Sequence, residues 1–354
     1  MTPVGSRFRL IRWLGPWAGS ESAAVCDDRG VIRDRTTLRV YGGDAKASVV
    51  IVPGLHFNGV YDFRMDRVAR ALAASGLLVV CPDITSHRRL RTSFDAVRDV
   101  RAALDEARSR TGAPPLGFSI SFGCLPLIQA ASTLTAAERL AGLVVFGGYG
   151  SWSDTIRFAL TGRDSDGRVA RHDPLNAPVV VGNLLAELET GSADVAAVEA
   201  AWVRYVRVTW GQPHMKEGGW SDVASRMAAA LPAADRALFL MGCNLDDRAV
   251  EPVSSALKSG DWGHLDPLAA ASQISCPVRV VHGRDDDVIP LSQADVLAEA
   301  FTASPDVRVL KTGLYSHSEG GASGSTALWR EARVLMQLVE ALVTLPRTAN
   351  ARPR

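Results

Sequence analysis

Three short segments hold the side chains best suited to chemistry. The first, Leu116-Gly117-Phe118-Ser119-Ile120-Ser121-Phe122-Gly123-Cys124, contains two serines flanked by small residues two positions away. Ser119 lies between Gly117 and Ser121; Ser121 lies between Ser119 and Gly123. A serine nucleophile on a tight strand-to-helix turn needs such neighbours, because the turn strains its backbone while lifting the hydroxyl above the sheet. Ser121 is the preferred register, since a Gly two residues after the nucleophile is the more demanding requirement. The apolar run Cys124-Leu125-Pro126-Leu127-Ile128 also begins at the right distance, and Pro126 is tolerated in a helix's first turn. The second segment, His282-Gly283-Arg284-Asp285-Asp286-Asp287-Val288-Ile289-Pro290, offers three carboxylates, one of which could orient a histidine. The third, Lys311 to Gly321, carries His317 in a polar, Gly-rich stretch.

Taken singly, these are an ordinary Ser-rich turn, a solvated acidic turn and a solvated loop histidine. Their joint order argues for more. Each follows a predicted strand, and ligand sites in open α/β sheets form at the carboxyl ends of the strands. Ser121 would attack a carbonyl carbon, and His317 would take its proton and later return it to the leaving group. Asp286 would hold the imidazole in the required tautomer.

The elements that must position these residues are legible as apolar runs. Ser48–Val52, Leu77–Cys81, Leu116–Ser119, Leu143–Phe146, Val278–Val281 and Val307–Leu310 read as buried strands. Helical patterns follow at Arg64–Ser75, from Thr92 or Ser93 to about Gly112, at Leu291–Phe301 and at Thr326–Leu345. This alternation predicts an α/β fold, a mostly parallel sheet with helices on both faces. Between Ser151 and Ser275 the patterns are mainly helical, and Pro178-Val179-Val180-Val181-Gly182 is the one run there that reads as a possible strand. The expected organisation is an N-terminal segment over 1–35, a sheet domain over 36–150 and 276–345, a helical insert over 151–275, and a basic tail over 346–354.

The chain resembles the α/β-hydrolases over roughly residues 36 to 345, with the insert as a cap. The resemblance rests on the joint pattern: the elbow Ser119-Ile120-Ser121-Phe122-Gly123, an acid three residues after the strand-ending Gly283, and the histidine in Ser316-His317-Ser318. It implies Asp286 as the acid rather than Asp285 or Asp287. It also implies an oxyanion hole from the backbone N–H groups of Leu55 and Phe122, because Pro53-Gly54-Leu55-His56 stands where the family commonly carries His-Gly-x. Ser119 replaces the usual first Gly of the elbow, and Pro53 replaces the usual His. The implied activity is hydrolysis of a carboxylic ester of a small, largely apolar substrate through a serine acyl-enzyme. A thioesterase or acyltransferase with the same triad is one alternative; a non-catalytic small-molecule-binding protein is another.

Composition narrows the partners. The 354 residues hold 39 Lys and Arg against 38 Asp and Glu, a formal charge of +1 that supplies no field for a polyanion. Nucleic acid is therefore not expected as a partner. No apolar run approaches the roughly 20 residues of a membrane span, and Arg12 and Pro16 interrupt the N-terminal stretch, so a cytoplasmic protein is expected. The five cysteines form no CxxC pair and read as reduced thiols. With no Walker A pattern, GxGxxG or zinc spacing, no cofactor or metal is expected. His56 reads as structural, Asp62 and Arg64 as a helix cap or ion pair, and His87–Arg91 as a solvated basic turn. Trp202, Trp210 and Trp220 are expected to line a pocket beneath the cap.

Overall fold

The computed structural model describes residues 26–313 and 325–348. Eight strands form one sheet: β1 (Asp28–Arg33), β2 (Thr36–Tyr41), β3 (Ser48–Val52), β4 (Leu78–Pro82), β5 (Leu116–Ile120), β6 (Gly142–Phe146), β7 (Val278–Gly283) and β8 (Val307–Thr312). Their spatial order is β1-β2-β4-β3-β5-β6-β7-β8. β2 runs antiparallel to both of its neighbours, and β4-β3-β5-β6-β7-β8 are parallel. All six strands predicted from apolar runs are present, with boundaries shifted by at most two residues.

Parallel strands β3 to β7 are apolar at most positions because both faces are covered, whereas the edge strand β8 carries the exposed Arg308 and the half-buried Lys311. Val50, Val52, Val80 and Val145 face α3 (Ala96–Thr111), α4 (Cys124–Ser132) and α12 (Ser292–Ala300) through Val100, Leu104, Leu125 and Leu297. On the opposite face, Val49, Ile51, Val79 and Val144 meet α1 (Phe63–Ala74) and α13 (Ser325–Thr348) through Leu72, Leu338 and Leu342. Alternate residues of one strand thus serve two separate cores. Each buried Val or Leu contributes about 1.5–3 kcal/mol, so the sheet is a rigid base for its loops.

Between β6 and β7 the described chain is helical: α5 (Trp152–Thr161), α6 (Ala177–Asn183), α7 (Val195–Thr209), α8 (Trp220–Ala229), α9 (Ala233–Gly242), α10 (Val250–Ser259) and α11 (Leu268–Ala271). The possible strand at Pro178–Gly182 is instead part of α6. Its Pro falls in the first turn, where a missing N–H costs nothing, and Val180, Val181 and Leu184 are buried at helical spacing. β1 arises within the stretch set apart as N-terminal and pairs with β2 along its whole length.

The basic run also departs from expectation. Thr85–Arg88 forms a short helix, α2, in which His87 is buried, and Leu90 is buried just beyond it. Arg88 and Arg89 are exposed as expected, but Arg91 is half-buried and ion-paired with Glu199, so one end of this run packs against the helical segment. Asp62 caps α1 as expected: its Oδ1 accepts from the Arg64 N–H at 3.0 Å and from the Arg64 Nε–H at 2.8 Å.

Candidate active site

The turn after β5 distinguishes the two serines. Ser119 lies within β5, has no exposed surface, and its hydroxyl has no partner among the described residues. Ser121 is the first residue beyond the strand, is half-buried, and has φ +52°, a left-handed conformation that costs a non-glycine residue about 1–2 kcal/mol. A 3₁₀ turn at Ser121–Gly123 then leads into α4, so the positive end of that helix lies beside the serine. The turn demands a glycine at 123: a Cβ there would stand 2.6 Å from the Val52 carbonyl oxygen and 2.7 Å from that of Pro53. Backbone on both sides leaves no room to yield.

Gly54 brings the loop after β3 onto the same serine. A Cβ at this position would lie 3.0 Å from Ser121 Cβ and 3.6 Å from its Oγ. Among the described residues the Leu55 N–H, which follows Gly54, donates no hydrogen bond.

His87 supports this loop, a role its place in a basic run did not suggest. Its Nδ1–H donates to the Pro53 carbonyl at 2.9 Å. It therefore braces the loop after β3. Burial pushes the His87 pKa down to about 4, so the ring is neutral when folded. A histidine with a depressed folded pKa takes up its proton more readily when unfolded, so stability falls as pH drops from about 6.5 to 4. The loss across that window is about 3 kcal/mol. Urea unfolding at pH 7 and pH 4.5 should show this loss in the native protein, with a smaller one in His87→Asn.

Asp286 lies on the loop after β7 and is 8% exposed. Its Oδ1 accepts from the N–H groups of Val288 and Ile289, both at 2.9 Å. Oδ2 is 3.7 Å from His282 Nε2, and a Cβ on Gly147 would lie 3.6 Å from it. Ile120, Phe146 and Val281 are in register across β5, β6 and β7, so Ser121, Gly147 and the acid loop share one sheet edge. Two interstrand steps of roughly 4.8 Å separate the serine's strand from the acid's.

The neighbouring acids are committed elsewhere or solvated. Asp287 pairs with Lys216, and Asp285 is exposed. His282 is fully buried, and its Nε2–H donates to the Ile289 carbonyl at 2.9 Å, closing the acid loop back onto β7. Sequence reading gave His282 no role; its position two residues before a turn-forming Arg-Asp pair was the available signal.

His317 lies outside the described residues. The described chain on either side of it is tied by Glu331 of α13. This buried carboxylate accepts from Thr312 Oγ1 at 2.7 Å and from the Gly313 N–H at 2.9 Å, and it pairs with Arg284 of the acid loop. Burial would raise its pKa, but the Thr312, Gly313 and Arg284 contacts outweigh burial and hold it below the usual carboxylate range.

On the helical side, Trp210 approaches the loop after β3. Its ring centroid is 5.9 Å from that of His56 and 6.4 Å from that of Phe57, and its indole N–H donates to the Leu175 carbonyl at 3.0 Å. His56 accepts the Asn58 N–H on Nδ1 and stacks on Phe57, consistent with a structural role. Trp202 instead packs within the helical segment, where it donates to the Phe239 carbonyl at 3.0 Å. Trp202 also lines a cleft of about 40 Å³ with Arg89, Arg91, Pro178 and Glu199, to which neither the elbow nor the acid loop contributes. Among the described residues no group of three or more His, Cys, Asp or Glu side chains is placed to hold a metal ion, and no helix is long and apolar enough to cross a membrane. Cys81, Cys124, Cys243 and Cys276 are buried, Cys26 is half-buried, and all five are free thiols.

The mostly parallel sheet with helices on both faces, and the sharp turn from β5 into α4, have the architecture expected from the sequence, that of an α/β-hydrolase fold. No protein-family model and no curated protein sequence matches the chain. Among solved structures it is similar to an acylaminoacyl peptidase of Pyrococcus horikoshii at 11% identity and a TM-score of 0.48, covering 89% of this chain and 40% of that one. It is similar to a puromycin-hydrolyzing peptidase of Mycobacterium tuberculosis at 17% identity and 0.49, covering 93% and 40%. A Pyrococcus furiosus esterase aligns at 10% identity and 0.47, covering 90% of each chain. The chain thus spans about 40% of the length of the two peptidases.

Proposed function

We propose that this chain is a serine hydrolase that cleaves a carboxylic ester through an acyl-enzyme. Ser121 Oγ adds to the ester carbonyl while its proton passes to His317. The oxyanion is held by the N–H groups of Leu55 and Phe122, worth about 100- to 1000-fold in rate per donor. The intermediate collapses by expelling the alcohol, which takes the proton from His317. Water, deprotonated by the same imidazole, then releases the acid and frees Ser121. Asp286 holds the imidazole in the tautomer that both steps require.

The left-handed backbone at Ser121 carries this reading. Of the six described non-glycine residues with positive φ, Ser121 is the one at the carboxyl end of a parallel strand, and strain of this kind clusters at reactive sites. Residues 151–275 would act as a cap over the core formed by 36–150 and 276–345, a reading favoured by Trp210 beside the Leu55–Phe57 loop. The half-buried Leu55, Phe57 and Trp210, together with the near-zero net charge, favour a small and largely apolar substrate.

A fluorophosphonate probe should label the folded protein at one site per chain, mapped to Ser121 by peptide mass. Absence of labelling in folded protein would favour a small-molecule-binding role and sink the hydrolase reading. Comparing p-nitrophenyl esters of increasing acyl length with acyl-CoA thioesters separates an esterase from a thioesterase.

A further inference from the structure

Lys216 belongs to the helical segment, yet its Nζ lies 2.8 Å from Asp173 Oδ2 and 2.9 Å from Asp287 Oδ2. Asp173 and Asp287 are both buried, and the Asp173 N–H donates to the Asp287 carbonyl at 2.8 Å. Oδ1 of Asp287 has no partner among the described residues. One ammonium therefore serves two buried carboxylates, and one of these directly follows Asp286. Lys216 sits in a wide helical turn, Met215–Gly219, where Gly218 has φ +112°.

We propose that Lys216 is a positioning residue that pins the helical segment to the acid loop and sets the charge beside Asp286, thereby fixing the basicity of the histidine that Asp286 orients. This rests on the triad reading above. With Lys216 charged, the node of three side chains carries a net charge of −1. Other titratable groups around it are few. His172 feels Asp173, Asp287 and Asp247, but burial holds its pKa below the usual range, so it is neutral near pH 7. Burial holds the nearby Tyr205 phenol neutral as well. Asp247 and Asp285 are exposed, and solvent screens them, while His282 is tied to the Ile289 carbonyl.

The charge count gives opposite expectations for two substitutions. Lys216→Met leaves the node at −2, which favours the imidazolium, so the acid limb of kcat/KM should move to higher pH by about half a unit. Asp287→Asn leaves the node at zero, and the limb should move to lower pH by a similar amount. The double variant Lys216→Met/Asp287→Asn restores −1 and should return the limb close to its native position. A purely structural contact would lower thermal stability in both single variants without moving the limb in opposite directions.

The experiment is the pH profile of p-nitrophenyl ester hydrolysis by unlabelled native protein and these three variants, with a separate aliquot of each first shown to be labelled by the fluorophosphonate. Opposed shifts with recovery in the double variant support the proposal. Labelled variants whose limbs are unmoved, or move the same way, overturn it while leaving the triad reading intact. Absence of labelling in the native protein overturns both. If Lys216→Met does not fold, an unmoved or raised limb in Asp287→Asn is sufficient to overturn it.

Discussion

Ser121→Ala is expected to lower kcat for ester hydrolysis by about 10⁶-fold, whereas Ser119→Ala keeps it within about threefold of native. The two serines are two residues apart but differ in every physical respect. Ser121 is half-buried at the sheet edge in a left-handed turn, with Gly54 packed against it. Ser119 points into the sheet's interior, with no exposed surface and no described partner for its hydroxyl. A buried hydroxyl without a partner costs about 1–3 kcal/mol. Ser119→Ala should therefore leave the protein at least as stable as native, and its melting temperature checks this. Ser121→Ala keeps the Cβ and the backbone strain, so it should fold normally and bind ester without turning it over. The opposite pattern, with activity lost in Ser119→Ala and kept in Ser121→Ala, would move the nucleophile to the other register.

The positions of β3 to β7 were legible because strands covered on both faces are apolar at most residues, and β8 was legible through Val307, Val309 and Leu310. The same physics hid β1 and β2. In Thr36–Tyr41 only alternate positions are apolar, since Arg39 projects outward to Asp28 and Asp66 while Leu38 and Val40 are buried. That alternation is the signal of a half-covered strand, but six residues of it are weak beside the runs that follow. At Pro178–Gly182 three consecutive valines suited a strand, and burial against neighbouring helices prevailed over β propensity.

The site divides in the same way. The tight turn at Ser121–Gly123 was readable from local spacing, because a turn's steric needs are written in adjacent residues, whereas the choice of Asp286 among three acids came from the resemblance. Contacts between distant segments were not. His87 reaches Pro53 across 34 positions, and Lys216 reaches Asp287 across 71. A buried histidine inside a basic run looks like any other member of that run until the backbone carbonyl it serves is known.

Asp286→Asn is expected to reduce kcat by about 10⁴-fold with little change in stability. The carboxylate is fixed by its surroundings: Val288 and Ile289 both donate N–H groups to Oδ1. In the asparagine variant the amide oxygen is the only atom able to accept these two bonds, so the NH₂ group must occupy the place of Oδ2. It would then present a donor where the imidazole N–H requires an acceptor, which favours the tautomer unable to take the proton of Ser121. Asp286→Ala should be no more active and less stable, because it leaves the buried Ile289 N–H without an acceptor, at about 1–3 kcal/mol, and the half-buried Val288 N–H at less. Asp285→Asn, at an exposed position, should stay near native in both respects. Steady-state rates and melting temperatures of the three variants make the comparison. Near-native turnover in Asp286→Asn, with a large loss in Asp285→Asn, would transfer the orienting role to the preceding residue.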